Sequence, residues 1–136
     1  MRRIVLVIGL ITILVGAGWI VRAWTSFQVT ARTQGLNDDV VTLFEALQKY
    51  KENVGSYPSG SNAEIARALK GKNSKNIIIL VGRKTDLNEK GEFVDPWKTP
   101  LRIYFSDNGI LVRSAGPNRR FDDSTAMDCD DFFRSN

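Results

Sequence analysis

The chain opens on a stretch with no charge and almost no polarity. Residues 4–21 read IVLVIGLITILVGAGWIV, and among them only Thr12 carries a polar side chain. At about 1.5 Å of rise per residue, a helix of this length just crosses a hydrocarbon core. After Gly35 the pattern changes. Leu36, Val40, Leu43 and Phe44, Leu47, Tyr50 and Lys51, and Val54 recur at helical spacing, which predicts an amphipathic helix over about 36–54. Gly55 suits the position after the last turn, and Tyr57-Pro58 forbids continuation. No proline lies between Met1 and Pro58. The pattern therefore admits one long helix, apolar in its first half and amphipathic in its second. The alternative is two helices joined at 25–35, where Thr30, Thr33 and Gly35 are poor helix formers.

Shorter elements follow. Asn62 is a candidate cap for a short helix whose buried side is Ile65, Ala66 and Leu69, with Gly71 ending it. The β-branched run NIIILV at 76–81 reads as a buried strand. Leu101, Ile103 and Phe105 alternate onto one face, and 110–113 pairs with them across Ser106-Asp107-Asn108-Gly109, whose Asn-Gly is a strong hairpin signal. Two strands alone are marginal, so Phe93-Val94 or 77–81 is expected to add a third. The fold class is α+β: a long N-terminal helix, transmembrane then amphipathic, packed on a small antiparallel sheet.

The flanks of the apolar run give it a direction. Arg2 and Arg3 precede it with no balancing acid, while Trp19 and Trp24 sit at its far end, where indoles favour the membrane interface. The expected topology is a single pass with the N-terminus cytoplasmic; Arg22 and Arg32 weaken that bias without reversing it. This divides the chain into an anchor, 1–24, and an extracytoplasmic head, 25–136. A cleaved signal peptide is the other reading, with Arg2-Arg3 as its basic end, 4–14 as its apolar centre and Val15-Gly16-Ala17 at the cut. Both readings export the head.

Composition removes several function classes. The 136 residues contain no histidine and a single cysteine, Cys129. That excludes a disulfide within the chain, a Cys/His zinc site and any Ser-His or Cys-His catalytic arrangement. The net charge is +4, but Arg2, Arg3 and Arg22 flank the apolar run and the remainder is nearly balanced, so no nucleic-acid partner is expected. Beyond Ser114 periodicity is lost, and Asp122, Asp123, Asp128, Asp130 and Asp131 place five carboxylates within ten residues. A hard cation such as Ca²⁺ would offset their repulsion and take several oxygens from an irregular loop. The spacing is not that of an EF-hand. The alternative is a solvated acidic tail paired with Arg119, Arg120 and Arg134. Acid–base catalysis by a pair such as Asp122 and Asp123 would need a pocket, and none is legible; an enzyme is not expected.

Three motifs then fall in order: Gly55-x-Tyr57-Pro58, Asp95-Pro96-Trp97-x-Thr99-Pro100, and Ser114-Ala115-Gly116-Pro117 with a late Asp130-Asp131-Phe132. With the N-terminal helix and the hairpin, this layout resembles the major pseudopilins of type II secretion, within the type IV pilin-like superfamily. The resemblance implies a pilin-like fold and a structural subunit of a type II secretion or related assembly. It would be anchored in a bacterial inner membrane with its head in the periplasm. Its partners would be the lipid bilayer, other pseudopilin or secretion-machinery subunits, and further copies of itself in a homo-oligomer. Gly9, Gly16, Ala17 and Gly18 would let helices approach closely.

The resemblance also implies a calcium ion in the loop after the hairpin. The carried-over set is Asn118, where the family has Asp, with Asp130 and Asp131. Asp122, Asp123 and Asp128 stand at or within an insertion that precedes the closing pair. Lys98 replaces the family's usual Gly, and Leu101 its aromatic. The apolar run lacks the family's Phe and Glu; the first acids are Asp38 and Asp39. A membrane-tethered extracytoplasmic module that binds Ca²⁺ or a partner without polymerising is the alternative function.

Overall fold

A computed structural model describes the backbone of residues 2–81, 87–106, 109–123 and 129–135, and within these the side chains from Arg22 onward, Thr25 and Ser26 excepted. The first element, α1, is a single helix over Arg2–Val54. It runs unbroken through 25–35, so the two-helix alternative does not hold. Thr33 is accommodated there by turning its hydroxyl onto the Val29 carbonyl, one turn back at 2.9 Å. The chain divides into two compact units, Met1–Gln34 and Gly35–Asn136. The division falls where the amphipathic stripe begins.

In the first unit the described side chains other than half-buried Thr33 are exposed, with Trp24 69% and Phe27 76% accessible. Among the described residues no helix is long and apolar enough to cross a membrane. The side chains of 4–21 lie outside them.

The second unit has one core. The stripe predicted for the polar half of α1 is the buried one: Leu36, Val40, Leu43, Phe44, Leu47 and Tyr50, with Ala46, are all at or below 8% exposed, and Val54 is packed against them. The helix stops where Gly55 takes φ +101°, a left-handed conformation that glycine adopts without penalty. Helix α2, Asn62–Leu69, adds Ile65, Ala66 and Leu69 to the same core.

Its cap is Ser61, not Asn62. The Ser61 hydroxyl accepts from the Glu64 amide, and the Glu64 carboxylate accepts from the Ser61 amide in return. Asn62 is released for a longer-range task. Its side-chain nitrogen donates to the carbonyls of Phe93 and Leu101 at 2.9 and 2.8 Å, and its oxygen accepts from the Phe93 amide at 2.7 Å.

The sheet has three antiparallel strands in the order β1 (Arg102–Ser106), β2 (Gly109–Ser114), β3 (Phe132–Ser135). The hairpin forms, with Ile103 opposite Val112 and Phe105 opposite Ile110. Ser106 pairs with Gly109 at the end of the ladder, so these two residues, expected in the connection, belong to the strands. Asp107 and Asn108 lie outside the described residues. The third strand is neither 77–81 nor Phe93-Val94 but β3, from the chain's end. Phe93 and Val94 make only isolated bridges, to Leu87 and Pro100.

The run at 76–81 makes a single bridge, Lys70 to Ile78, and leaves Ile78 65% and Val81 89% exposed. Its backbone is spent on the end of α2. The Ile79 and Leu80 amides both donate to the Leu69 carbonyl, and Asn73 brackets Ala68 and Ile77. β propensity therefore yields there to the satisfaction of a helix terminus.

Candidate functional site

Two constructions meet where β2 ends. The first is the proline corner at 95–100. Asp95 is 1% exposed. Its Oδ1 accepts from the amides of Trp97 and Thr99 at 3.0 and 2.8 Å, and its own amide donates to the Thr99 carbonyl at 2.9 Å. A buried carboxylate needs this many donors to be tolerated. The turn leaves Lys98 at φ 71°, the left-handed region, at the position where the pseudopilin pattern has Gly. Trp97, 5% exposed, enters the core together with Leu101 and α1 residues such as Leu47.

The second construction is the acidic C-terminal segment. One carboxylate oxygen from each of Asp122, Asp130 and Asp131 lies within 4.8 Å of the others. Asn118 closes the group. Its amide donates to Asp130 Oδ2 at 3.1 Å, and its side-chain nitrogen to Asp122 Oδ2 at 2.6 Å. The Asp122 amide donates to Asp131 Oδ1 at 3.2 Å. Among the described residues, Asp130 Oδ1 is buried without a hydrogen-bond partner. Asp123 is exposed and outside the group. Asp128 lies outside the described residues.

Of the candidate ligands, the fold thus brings together Asn118, Asp122, Asp130 and Asp131. Gly116 makes the approach feasible: it has φ +64°, and a Cβ there would sit 2.2 Å from the Asp130 carbonyl oxygen. Ser114 links the two constructions, donating to Asp95 Oδ2 at 2.7 Å and accepting from the Gly116 amide at 3.1 Å.

Among the described residues, a cation paired with these acids is Arg113, which sequence spacing does not single out. It bonds the Asp131 carboxylate and the Asp122 carbonyl. Arg134, expected beside the acids, instead reaches Asn37 on α1. Cross-strand register carries the missing signal: Arg113 stands opposite Arg102 on one side and Phe133 on the other.

The group fits a hard cation in part. Asp122 and Asp130 offer oxygens and Asp130 Oδ1 is orphaned, whereas the Asp131 side chain is committed to a guanidinium. A groove at the hairpin's end is lined by Tyr104, Phe105, Ile110, Leu111 and Ser135, and by none of these acids. Comparison with known protein families, characterised proteins and solved structures finds no match.

Proposed function

We propose that this chain is a structural, pseudopilin-like subunit held in a membrane by residues 4–21, with a pilin-like head that works by assembly. The observation that carries the reading is the shared core. The polar half of α1, the Trp97 corner and the Ile110 and Val112 strand bury one another, so the helix that continues the apolar run is also the spine of the head. The left-handed Lys98 adds to it, since glycine is the expected residue at such a backbone position. Because the apolar run lacks a glutamate, assembly would rely on close helix packing through Gly9, Gly16, Ala17 and Gly18 rather than on a buried carboxylate.

Cysteine crosslinking in cells tests this. In a Cys129→Ser background, single cysteines along 5–20 should crosslink between chains with helical periodicity. A flat pattern, or no crosslinks in a membrane-inserted protein, would remove assembly from the account. Mass spectrometry of the extracted chain adds whether Met1 is retained or the N-terminus is cut.

One observation favours the second reading, a tethered Ca²⁺-binding module: the buried, unpartnered Asp130 Oδ1 beside Asp122. Calcium would be held by Asp122 and Asp130, with Asn118 alongside, and would supply the charge the orphan oxygen lacks. Isothermal titration of the full chain with CaCl2 reads this directly, and the absence of binding heat at millimolar ion would exclude it.

A further inference from the structure

We propose that Arg113 is the built-in counter-cation of Asp131 and its described neighbours, so that β3 and the acids that precede it are held on β2 without a bound divalent ion. The side chain of Asp131 is 0% exposed and that of Arg113 only 16%. A carboxylate so placed is costly unless a hydrogen-bonded opposite charge meets it. Arg113 supplies that charge through both Nε and a terminal nitrogen, and the same terminal nitrogen also reaches the Asp122 carbonyl.

The guanidinium is held from its faces as well. It lies 4.8 Å from the Phe133 ring centre and 5.4 Å from that of Phe121. Phe121 is fixed in turn by Arg102, whose guanidinium carbon stands 3.8 Å over the ring. Arg102 and Arg113 are direct cross-strand partners. Like charges so placed repel, and Asp131 offsets that repulsion.

The remaining acids are met by amides, Asp130 by the Asn118 backbone and Asp122 by the Asn118 side chain. Each of the three carboxylates therefore has at least one donor from the chain itself, and Asp131 has a charged one. A divalent ion gains the strong third carboxylate only by displacing Arg113, so ion and arginine compete. This inference stands whether or not the chains assemble.

Thermal melting of the full chain in detergent, in EDTA and in millimolar CaCl2, tests it. The wild type should melt at the same temperature in both. Arg113→Gln should lower Tm in EDTA by roughly 5 °C or more, and CaCl2 should restore part of the loss. Arg113→Lys keeps the charge and should retain at least half of the wild-type advantage. The double variant Arg113→Gln/Asp131→Asn should melt above Arg113→Gln in EDTA, because it removes the stranded carboxylate along with its partner. Amide exchange in 129–135 should quicken in Arg113→Gln. The proposal is overturned by a wild type that loses stability in EDTA, by Arg113→Gln melting like the wild type, or by Arg113→Lys falling as far as Arg113→Gln. The last result would assign Arg113 a role of shape rather than charge.

Discussion

Asp95 accepts a 2.7 Å hydrogen bond from the hydroxyl of Ser114, nineteen residues further along the chain. The bond joins the proline corner to the last residue of β2, and through the Gly116 amide to the turn that seats Asp130. The head's two most distinctive motifs are thus one hydrogen-bonded unit. Loss of either partner should be felt in both.

Asp95→Ala strands the Trp97 and Thr99 amides as well as the Ser114 hydroxyl. Charge-assisted bonds of this kind are worth about 1.5–3 kcal/mol each, so a loss on the order of 3 kcal/mol is expected. Ser114→Ala should cost about 1–2 kcal/mol by the same reasoning. In urea denaturation the double variant should lose less than the sum of the two, because the groups share partners. Strict additivity would show that the bond does not couple the motifs.

Lys98 holds a left-handed backbone at φ 71°. An L-residue there costs about 1–2 kcal/mol, while glycine gives back roughly 0.5–1 kcal/mol in unfolded-state freedom. Lys98→Gly should therefore be neutral to slightly stabilising. Lys98→Val, β-branched, should destabilise by more than about 1 kcal/mol. A reversed order in melting temperature would contradict the turn.

Gly116→Ala places a methyl against the Asp130 carbonyl in a left-handed position. Neither side can yield cheaply, since the methyl is fixed rigidly to the Gly116 backbone and the atom it meets is a backbone carbonyl. A destabilisation of at least about 2 kcal/mol is expected. It should be accompanied by faster amide exchange in 129–135 and loss of the β2–β3 pairing. Unchanged exchange there would mean the segment closes without this contact.

The Ser61–Glu64 capping box predicts a pH dependence. The Ser61 backbone amide, then its hydroxyl, hold the Glu64 carboxyl below its ordinary value of 4.5, with Arg67 adding to the effect. A lowered folded value means that the folded chain favours the ionised form. Its contribution is fully present above about pH 4.5 and is lost as pH falls through the folded value. Glu64→Gln should flatten the acid limb of the stability curve below that pH. Ser61→Ala should cost about 1 kcal/mol at neutral pH. An acid limb identical to the wild type in Glu64→Gln would remove the box from the explanation.

Much of the architecture was legible in order along the chain. Helical spacing identified the buried stripe from Leu36 to Val54, because one-sided burial leaves a period that nothing else in the segment disturbs. Alternation identified the hairpin for the same reason. Gly55 and Pro58 marked the end of α1 because their backbone requirements are local. The acids of the C-terminal segment were visible as a cluster, since like charges that close demand some compensation.

The partners were decided in three dimensions. The Ser61-x-x-Glu64 spacing gives Ser61 the cap locally, because Glu64 completes a reciprocal pair; that the freed Asn62 then brackets Phe93 and Leu101 is decided only by the fold. The third strand came from residues 132–135, where Phe132-Phe133-Arg134-Ser135 is too short and too irregular in pattern to announce a strand, because β2 had an open edge and Arg113 a carboxylate to meet. The β-branched run at 76–81 had the stronger propensity and lost, its amides being drawn to the carbonyl at the end of α2. Local chemistry thus determined which segments are helical, which turn and where charge collects. Pairing across long separations chose the strand order and the arginine, because those choices depend on which unsatisfied groups the packed core leaves facing one another.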